Sequence, residues 1–216
     1  MAKLEDTAAF FRLLSSYGVP RRIINTLISN YPVSLPEPYS LNHTPSELCQ
    51  NKWIYLYGPT GTGKSTHAAY LMSVFLRARA RLGEARLDIK RACDDDTYVA
   101  RGGALQDQVC YRYVRVTELL HAMKEDFNSG SHYGQHLFNC CRRAAILVLD
   151  DLTSQLSQWE LAQLDYLIDR RYGDELKTII TSNHSLERLK RVLGSERIPG
   201  RIGEVAHMKK MKRTYR

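Results

Sequence analysis

No stretch of this 216-residue sequence comes near the run of roughly eighteen apolar residues that a membrane-spanning helix requires. Its opening residues, Met1 to Asp6, lack the basic-then-apolar order of a secretory leader. No membrane partner is expected, and the location read from this is cytoplasmic. Cysteine is sparse: Cys49, Cys93, Cys110, Cys140 and Cys141 are odd in number and form no C-x-x-C pair. That excludes a disulfide framework and a zinc ribbon, leaving reduced, mostly buried thiols. Acidic charge is lacking at one end only. The formal net charge is +8, and ten Lys or Arg lie from Arg188 onward against Glu196 and Glu204 alone, so the whole excess sits there. Such a face suits a polyanion, whether nucleotide or nucleic acid. The length supports one α/β core with a short appendage rather than two full domains.

The most informative stretch present is 53–66. Trp53, Ile54, Tyr55, Leu56 and Tyr57 form an unbroken apolar and aromatic run, the pattern of a buried strand. Gly58-Pro59-Thr60-Gly61-Thr62-Gly63-Lys64-Ser65, followed by Thr66, then fits the P-loop at every fixed position. The glycines allow the backbone to turn with its N–H groups inward, where a Cβ would block a triphosphate. In this arrangement Lys64 reaches the β and γ phosphates of ATP, Ser65 ligates Mg²⁺, and the following helix adds its positive end.

Ahead of this motif, Leu4, Ala8, Phe11 and Leu14 are spaced as a short amphipathic helix, and Ile23, Ile24, Leu27 and Ile28 as a second. Pro32, Pro36 and Pro38 mark a connector, and Thr44-Pro45-Ser46-Glu47 reads as a capping box. Residues 1–50 are thus expected to form a helical arm and connector, and 51–216 the core. After the P-loop a helix should reach about Arg81. Residues 84–109 lose the pattern and read as an inserted loop; Asp94, Asp95 and Asp96 are consecutive, so their side chains do not converge on one ion and a solvated turn is expected. A strand over Tyr111–Val116 leads to a helix capped by Thr117, a break at 130–134, and a resumed helix with Leu137 and Phe138 inward. Ala144 to Leu149 is a continuous apolar run ending in Asp150-Asp151, as in a central parallel strand. Ser157-Gln158-Trp159-Glu160 opens a helix that buries Leu161, Leu164, Ile168 and Tyr172. Thr178 to Thr181 forms a strand that delivers Ser182-Asn183, and a helix over 186–193 stops at Gly194. Strands alternating with helices imply a three-layer α/β fold with a mainly parallel sheet.

In such a sheet the carboxyl ends of the strands share one rim, where ligands bind. That rim would collect the P-loop, Asp150, Asp151 and Asn183. Asp150 then complements Ser65 at the magnesium, Asp151 orients or deprotonates the attacking water, and Asn183 reads the γ-phosphate. Arg197 or Arg201 could supply charge to the transition state. For nucleic acid the candidates are Lys124, Arg142 and Arg143, with Tyr133 available for stacking.

Gly18-Val19-Pro20-Arg21-Arg22, Leu149-Asp150-Asp151-Leu152, Trp159-Glu160-Leu161, Ile179-Ile180-Thr181-Ser182-Asn183-His184-Ser185-Leu186 and Gly194-Ser195-Glu196-Arg197-Ile198 with Arg201-Ile202 together resemble the DnaC-like helicase loaders. These are AAA+ P-loop ATPases related to IstB-type ATP-binding proteins. The resemblance implies a five-stranded sheet in the order 5-1-4-3-2, with Asn183 as sensor 1, Arg197 as an arginine finger and Arg201 as a second nucleotide-responsive arginine. It also implies self-association through that finger, and an ATP-controlled grip on a ring-shaped DnaB-type replicative helicase and on single-stranded DNA. Loaders of this type carry an N-terminal helicase-binding domain. Seventeen residues precede Gly18 here, which leaves the Leu4, Phe11, Leu14 helix to make that contact. Pro199-Gly200, between the two arginines, is expected to break a helix. Two other activities share the P-loop: an IstB-like regulator of transposition acting on duplex DNA, and a small-molecule kinase. Paired Asp150-Asp151 and Asn183 favour hydrolysis over transfer to an acceptor.

Overall fold

The computed structural model describes residues 11–12, 14–29, 53–81, 111–152 and 156–212. The expectations for residues 4–10, the connector with its capping box at 44–47, and the insertion at 84–109 lie outside these residues. A 3₁₀ turn at Leu14–Tyr17 is followed by α1 (Arg21–Ser29), β1 (Trp53–Tyr57), α2 (Lys64–Arg81), β2 (Tyr111–Arg115) and α3 (Val116–Ser129). Next come α4 (Tyr133–Arg143), β3 (Ile146–Leu152), α5 (Gln158–Gly173), β4 (Lys177–Ser182), α6 (Leu186–Leu193), α7 (Arg197–Val205) and β5 (Ala206–Lys210). Among the described residues no helix is long and apolar enough to cross a membrane.

The five strands form one sheet in the order β2-β3-β4-β1-β5, and every pairing is parallel. This is the expected order read from the opposite edge. Alternation along each strand divides the core in two. Ile54, Leu56, Tyr111, Tyr113, Ile146, Val148 and Ile179 face α1 and α2, while Trp53, Tyr55, Val114, Leu147, Leu149 and Ile180 face helices α3 to α7. Burial on both faces explains the near-continuous apolar runs of β1 and β3, each fully buried side chain contributing roughly 1.5–3 kcal/mol. The helix layers on both sides make the fold three-layered, as the alternation of elements requires.

Several local expectations are corrected. Thr117 does not cap α3: the helix begins one residue earlier, the N-cap position is Arg115, and no side chain bonds there. Pro199 does not break α7, which runs unbroken from Arg197 to Val205. A proline in the first turn forfeits only an N–H that has no helical acceptor, so the helix tolerates it. Gly134 is not part of a flexible break either. It lies buried in the first turn of α4, and a Cβ there would come within 2.3 Å of the Ala122 carbonyl oxygen on α3. The Asp126 carboxylate accepts from the Gly134 N–H at 3.0 Å and the Gln135 N–H at 2.7 Å, so α3 itself caps α4. Gly134→Ala is therefore expected to cost about 1–3 kcal/mol in chemical denaturation, the range for forced overpacking; a loss under about 0.5 kcal/mol would mean that the two helices do not meet closely.

The capping box at α5 is present as read. The Ser157 hydroxyl accepts from the Glu160 N–H, and the Glu160 carboxylate accepts from the Ser157 N–H at 2.7 Å. Lys124 reaches across from α3 to donate to Glu160 at 2.8 Å. This bond and the Ser157 N–H together hold the Glu160 carboxyl down to about 2.

Candidate nucleotide-binding site

The site is assembled at the carboxyl rim of the central strands. β1 ends in the P-loop, whose glycines take backbone conformations closed to other residues. Gly58 has φ 148, and a Cβ on it would meet the Met211 carbonyl oxygen at 2.2 Å; Gly61 has φ 81 and opens to free space on the outer side. The chain after β5 backs the loop, with the Met211 N–H donating to the Tyr57 carbonyl at 2.7 Å. Within the loop the Thr62 hydroxyl donates to the Pro59 carbonyl at 2.9 Å. Gly63, Lys64, Ser65 and Thr66 lead directly into α2, whose first N–H groups have no helical acceptor. The Pro59, Thr60 and Gly61 segment is exposed.

Lys64 is the hub. Its Nζ donates to the Gly58 carbonyl at 2.8 Å, to the Pro59 carbonyl at 2.8 Å and to Asn183 Oδ1 at 3.0 Å. All three ammonium donors are used, although the side chain is only 8% exposed. Burial lowers its pKa, with Asp151 and Asp150 acting in the opposite sense.

β3 delivers the two acids differently. Asp150 continues the strand alternation onto the α2 face and is buried; its Oδ1 accepts from the Thr181 hydroxyl at 2.7 Å. Asp151 has φ 58, and the β3–β4 register shifts between Leu149 and Leu152. A bulge of this kind re-aims a side chain, and aspartate tolerates the left-handed backbone it needs. The same Thr181 hydroxyl accepts from the Asp151 N–H at 2.8 Å, so one β4 side chain ties down both acids. Exposed Asp151 thereby turns toward Asn183, whose Nδ2 lies 3.4 Å from Asp151 Oδ1. The turn carrying Asn183 is pinned from beneath, as the Tyr55 hydroxyl donates to the His184 carbonyl at 2.7 Å and the Ser182 hydroxyl to the Leu152 carbonyl at 2.9 Å.

Asn183 thus touches both Lys64 and Asp151, and Asp150 lies near enough to act on the charge of Lys64. Arg197 and Arg201 are not part of this group. Arg197 Nη1 is 3.2 Å from Asp165 of α5 and is well exposed, while Arg201 pairs with Asp169 one turn further on and lies over the Tyr172 ring. Because α5 leads from the rim to the amino end of β4, Arg201 is carried away from the P-loop. Thr181 and Tyr55 did not stand out in the sequence. A polar residue in an otherwise apolar central strand was the available signal for Thr181. On the outer face Phe127 is 76% exposed and sits edge-on to Trp159, with Lys124 over the same indole.

Positive-φ glycines, an open outer face and a buried cation beside two carboxylates fit a nucleoside triphosphate with its magnesium ion. The family model described as IstB-like ATP binding protein matches residues 99–206, which is half of the chain and begins beyond the P-loop. No curated protein sequence matches significantly. Among solved structures, the DnaC helicase loader is 23% identical, covering 88% of this chain and 90% of its own, with a TM-score of 0.50. DnaI is 18% identical, covering 89% of this chain and 84% of its own, with a TM-score of 0.53. These likenesses place the fold among AAA+ P-loop proteins.

Proposed function

Because this chain belongs to the family of IstB-like ATP-binding proteins, we propose that it is an ATP-controlled loader that places a ring-shaped DnaB-type replicative helicase on single-stranded DNA. The observation that carries this reading is the contact series from Lys64 through Asn183 to Asp151. It joins the phosphate cradle to the group placed to activate water, through an amide able to report whether a γ-phosphate is there.

Bound ATP with magnesium supplies the electrophilic phosphorus and the anhydride bond to be cleaved. Lys64 exchanges its carbonyl partners for β and γ phosphate oxygens. Ser65 and Asp150 would hold the metal, the latter through water. Asp151 accepts the proton of the attacking water, and Asn183 donates to the terminal phosphate. Arg197 reaches the ATP of an adjoining copy as an arginine finger. Its exposed pair with Asp165 holds it only weakly, since such surface pairs contribute about 0–1 kcal/mol. A finger acting between copies could raise turnover by roughly 10³ to 10⁵. Arg201 serves as a second nucleotide-responsive arginine once its pair with Asp169 opens. Single-stranded DNA would lie along Lys124, Arg142 and Arg143, with bases stacking on Tyr133 and on exposed Phe127. The solved structure named as a helicase loader supports this choice over transposition.

The test is co-purification with the native DnaB-type helicase, with and without ATP. Capture is expected to require ATP and to fail for Lys64→Ala. Arg197→Ala alone is expected to lose turnover and to regain it when mixed with Lys64→Ala, because the Lys64→Ala copy then supplies its Arg197 to the intact P-loop of the Arg197→Ala copy. Capture of a transposase with a preference for duplex DNA would instead support the IstB-like reading, and absence of rescue would leave Arg197 without its role.

A further inference from the structure

Tyr113 lies on β2, the edge strand furthest from the P-loop, and none of the roles above uses it. It is 2% exposed and belongs to the sheet face that packs on α2, the same face to which strand alternation carries Asp150. It sits level with Val148 of β3, two residues before Asp150, so a side chain as long as tyrosine's can span the difference along the strand. Ser65, in the first turn of α2, is one of the polar groups that act on its hydroxyl.

The Asp150 carboxylate and the Ser65 hydroxyl both influence the phenol. Burial, and after it the charge of Asp150, push its pKa far above the ordinary tyrosine value, with Ser65 and Arg115 opposing. Its oxygen is fully buried and has no hydrogen bond of ordinary geometry, although the Asp150 carboxylate and the Ser65 hydroxyl lie close enough to act on it. Buried hydroxyls nearly always have a partner, and phenylalanine would fill this space with no oxygen left over. The backbone beneath is confined too, since Gly18 packs so closely that a Cβ on it would fall 2.3 Å from the Tyr113 carbonyl oxygen.

We propose that Tyr113 is a positioning residue for the magnesium ion's water shell, its hydroxyl accepting from a metal-bound water and donating to Asp150. This rests on the nucleotide and magnesium reading given above. A water on a divalent cation is a strong donor, and the phenol relays that polarity to a carboxylate already held by Thr181 on its other side. Tyr113 thereby fixes the orientation of the Asp150 carboxylate relative to Ser65 without ligating the metal.

Tyr113→Phe removes one oxygen and leaves the ring. The probe is a fluorescent ATP analogue titrated at a series of Mg²⁺ concentrations and in EDTA, alongside thermal melting. The Mg²⁺ concentration for half-maximal tight binding is expected to rise about tenfold, the worth of one hydrogen bond to a charged group. Affinity in EDTA should stay at the wild-type value, and the melting temperature should hold or rise because an unsatisfied group has gone. An unaltered Mg²⁺ requirement in the variant, against a wild type that needs Mg²⁺, overturns the Tyr113 role alone. A joint fall in Mg²⁺ response, EDTA affinity and melting temperature makes Tyr113 a packing residue and overturns it likewise. A wild type indifferent to Mg²⁺ overturns the magnesium reading on which both stand.

Discussion

Asparagine at position 151 is expected to leave ATP bound but uncleaved. The bulge in β3 turns Asp151 out of the sheet toward Asn183 while Asp150 stays inside against Thr181, so the two acids cannot exchange duties. Asp151→Asn keeps the size, the left-handed backbone and the hydrogen-bonding reach, and removes only the capacity to accept a proton. General base catalysis contributes about 10² to 10⁴ in rate, and a loss of that order is expected in phosphate release. Binding of a fluorescent ATP analogue should change little, because Lys64 and the P-loop amides are intact. Wild-type phosphate release by the variant would remove Asp151 from the chemistry.

The second large effect concerns stability. Arg171 on α5 is fully buried, and its guanidinium donates to the Cys141 carbonyl at 2.7 Å, the Arg142 carbonyl at 3.2 Å, the Ala144 carbonyl at 2.8 Å, the Lys177 carbonyl at 2.6 Å and the Thr178 hydroxyl at 3.0 Å. It closes the carboxyl end of α4, where carbonyls lack helical partners and a positive charge is favoured. It also ties that end to the start of β4, the strand that presents Thr181 and Asn183. Arg171→Met fills much of the space yet strands several buried carbonyls. The expected cost is about 3–5 kcal/mol, as for removing one half of a buried charged network. In a chain of this length that lowers the melting temperature by roughly 10 °C. A loss below about 1 kcal/mol in denaturant titration would show that water can replace the guanidinium.

These two residues show what the sequence made legible. The P-loop, the alternation of strands and helices, and the acids at the end of β3 were readable because each is a local rule: glycine for positive φ, continuous apolar residues for a strand covered on both faces, carboxylates at a strand end. Arg171 was not, although Leu164, Leu167, Ile168 and Arg171 follow one helical stripe, because a charged side chain on such a stripe is ordinarily solvated. Gly134 and Pro199 mislead for a related reason. Both residue types usually signal breaks, and only tertiary context shows that Gly134 admits α3 closely and that Pro199 occupies a first turn. The outward turn of Asp151 depends on a register shift between two strands far apart in sequence, which no window along the chain contains.

The central claim is that a triphosphate and magnesium sit at the rim shared by the P-loop, Asp150 and Asn183. A crystal structure with a non-hydrolysable ATP analogue and Mg²⁺ tests it directly. The expected result has the phosphates in the turn from Gly58 to Ser65, the Lys64 ammonium moved from the Gly58 and Pro59 carbonyls onto them, and the metal between Ser65 and Asp150. A nucleotide bound elsewhere, or Lys64 still held by those carbonyls and Asn183 with the analogue present, would contradict it.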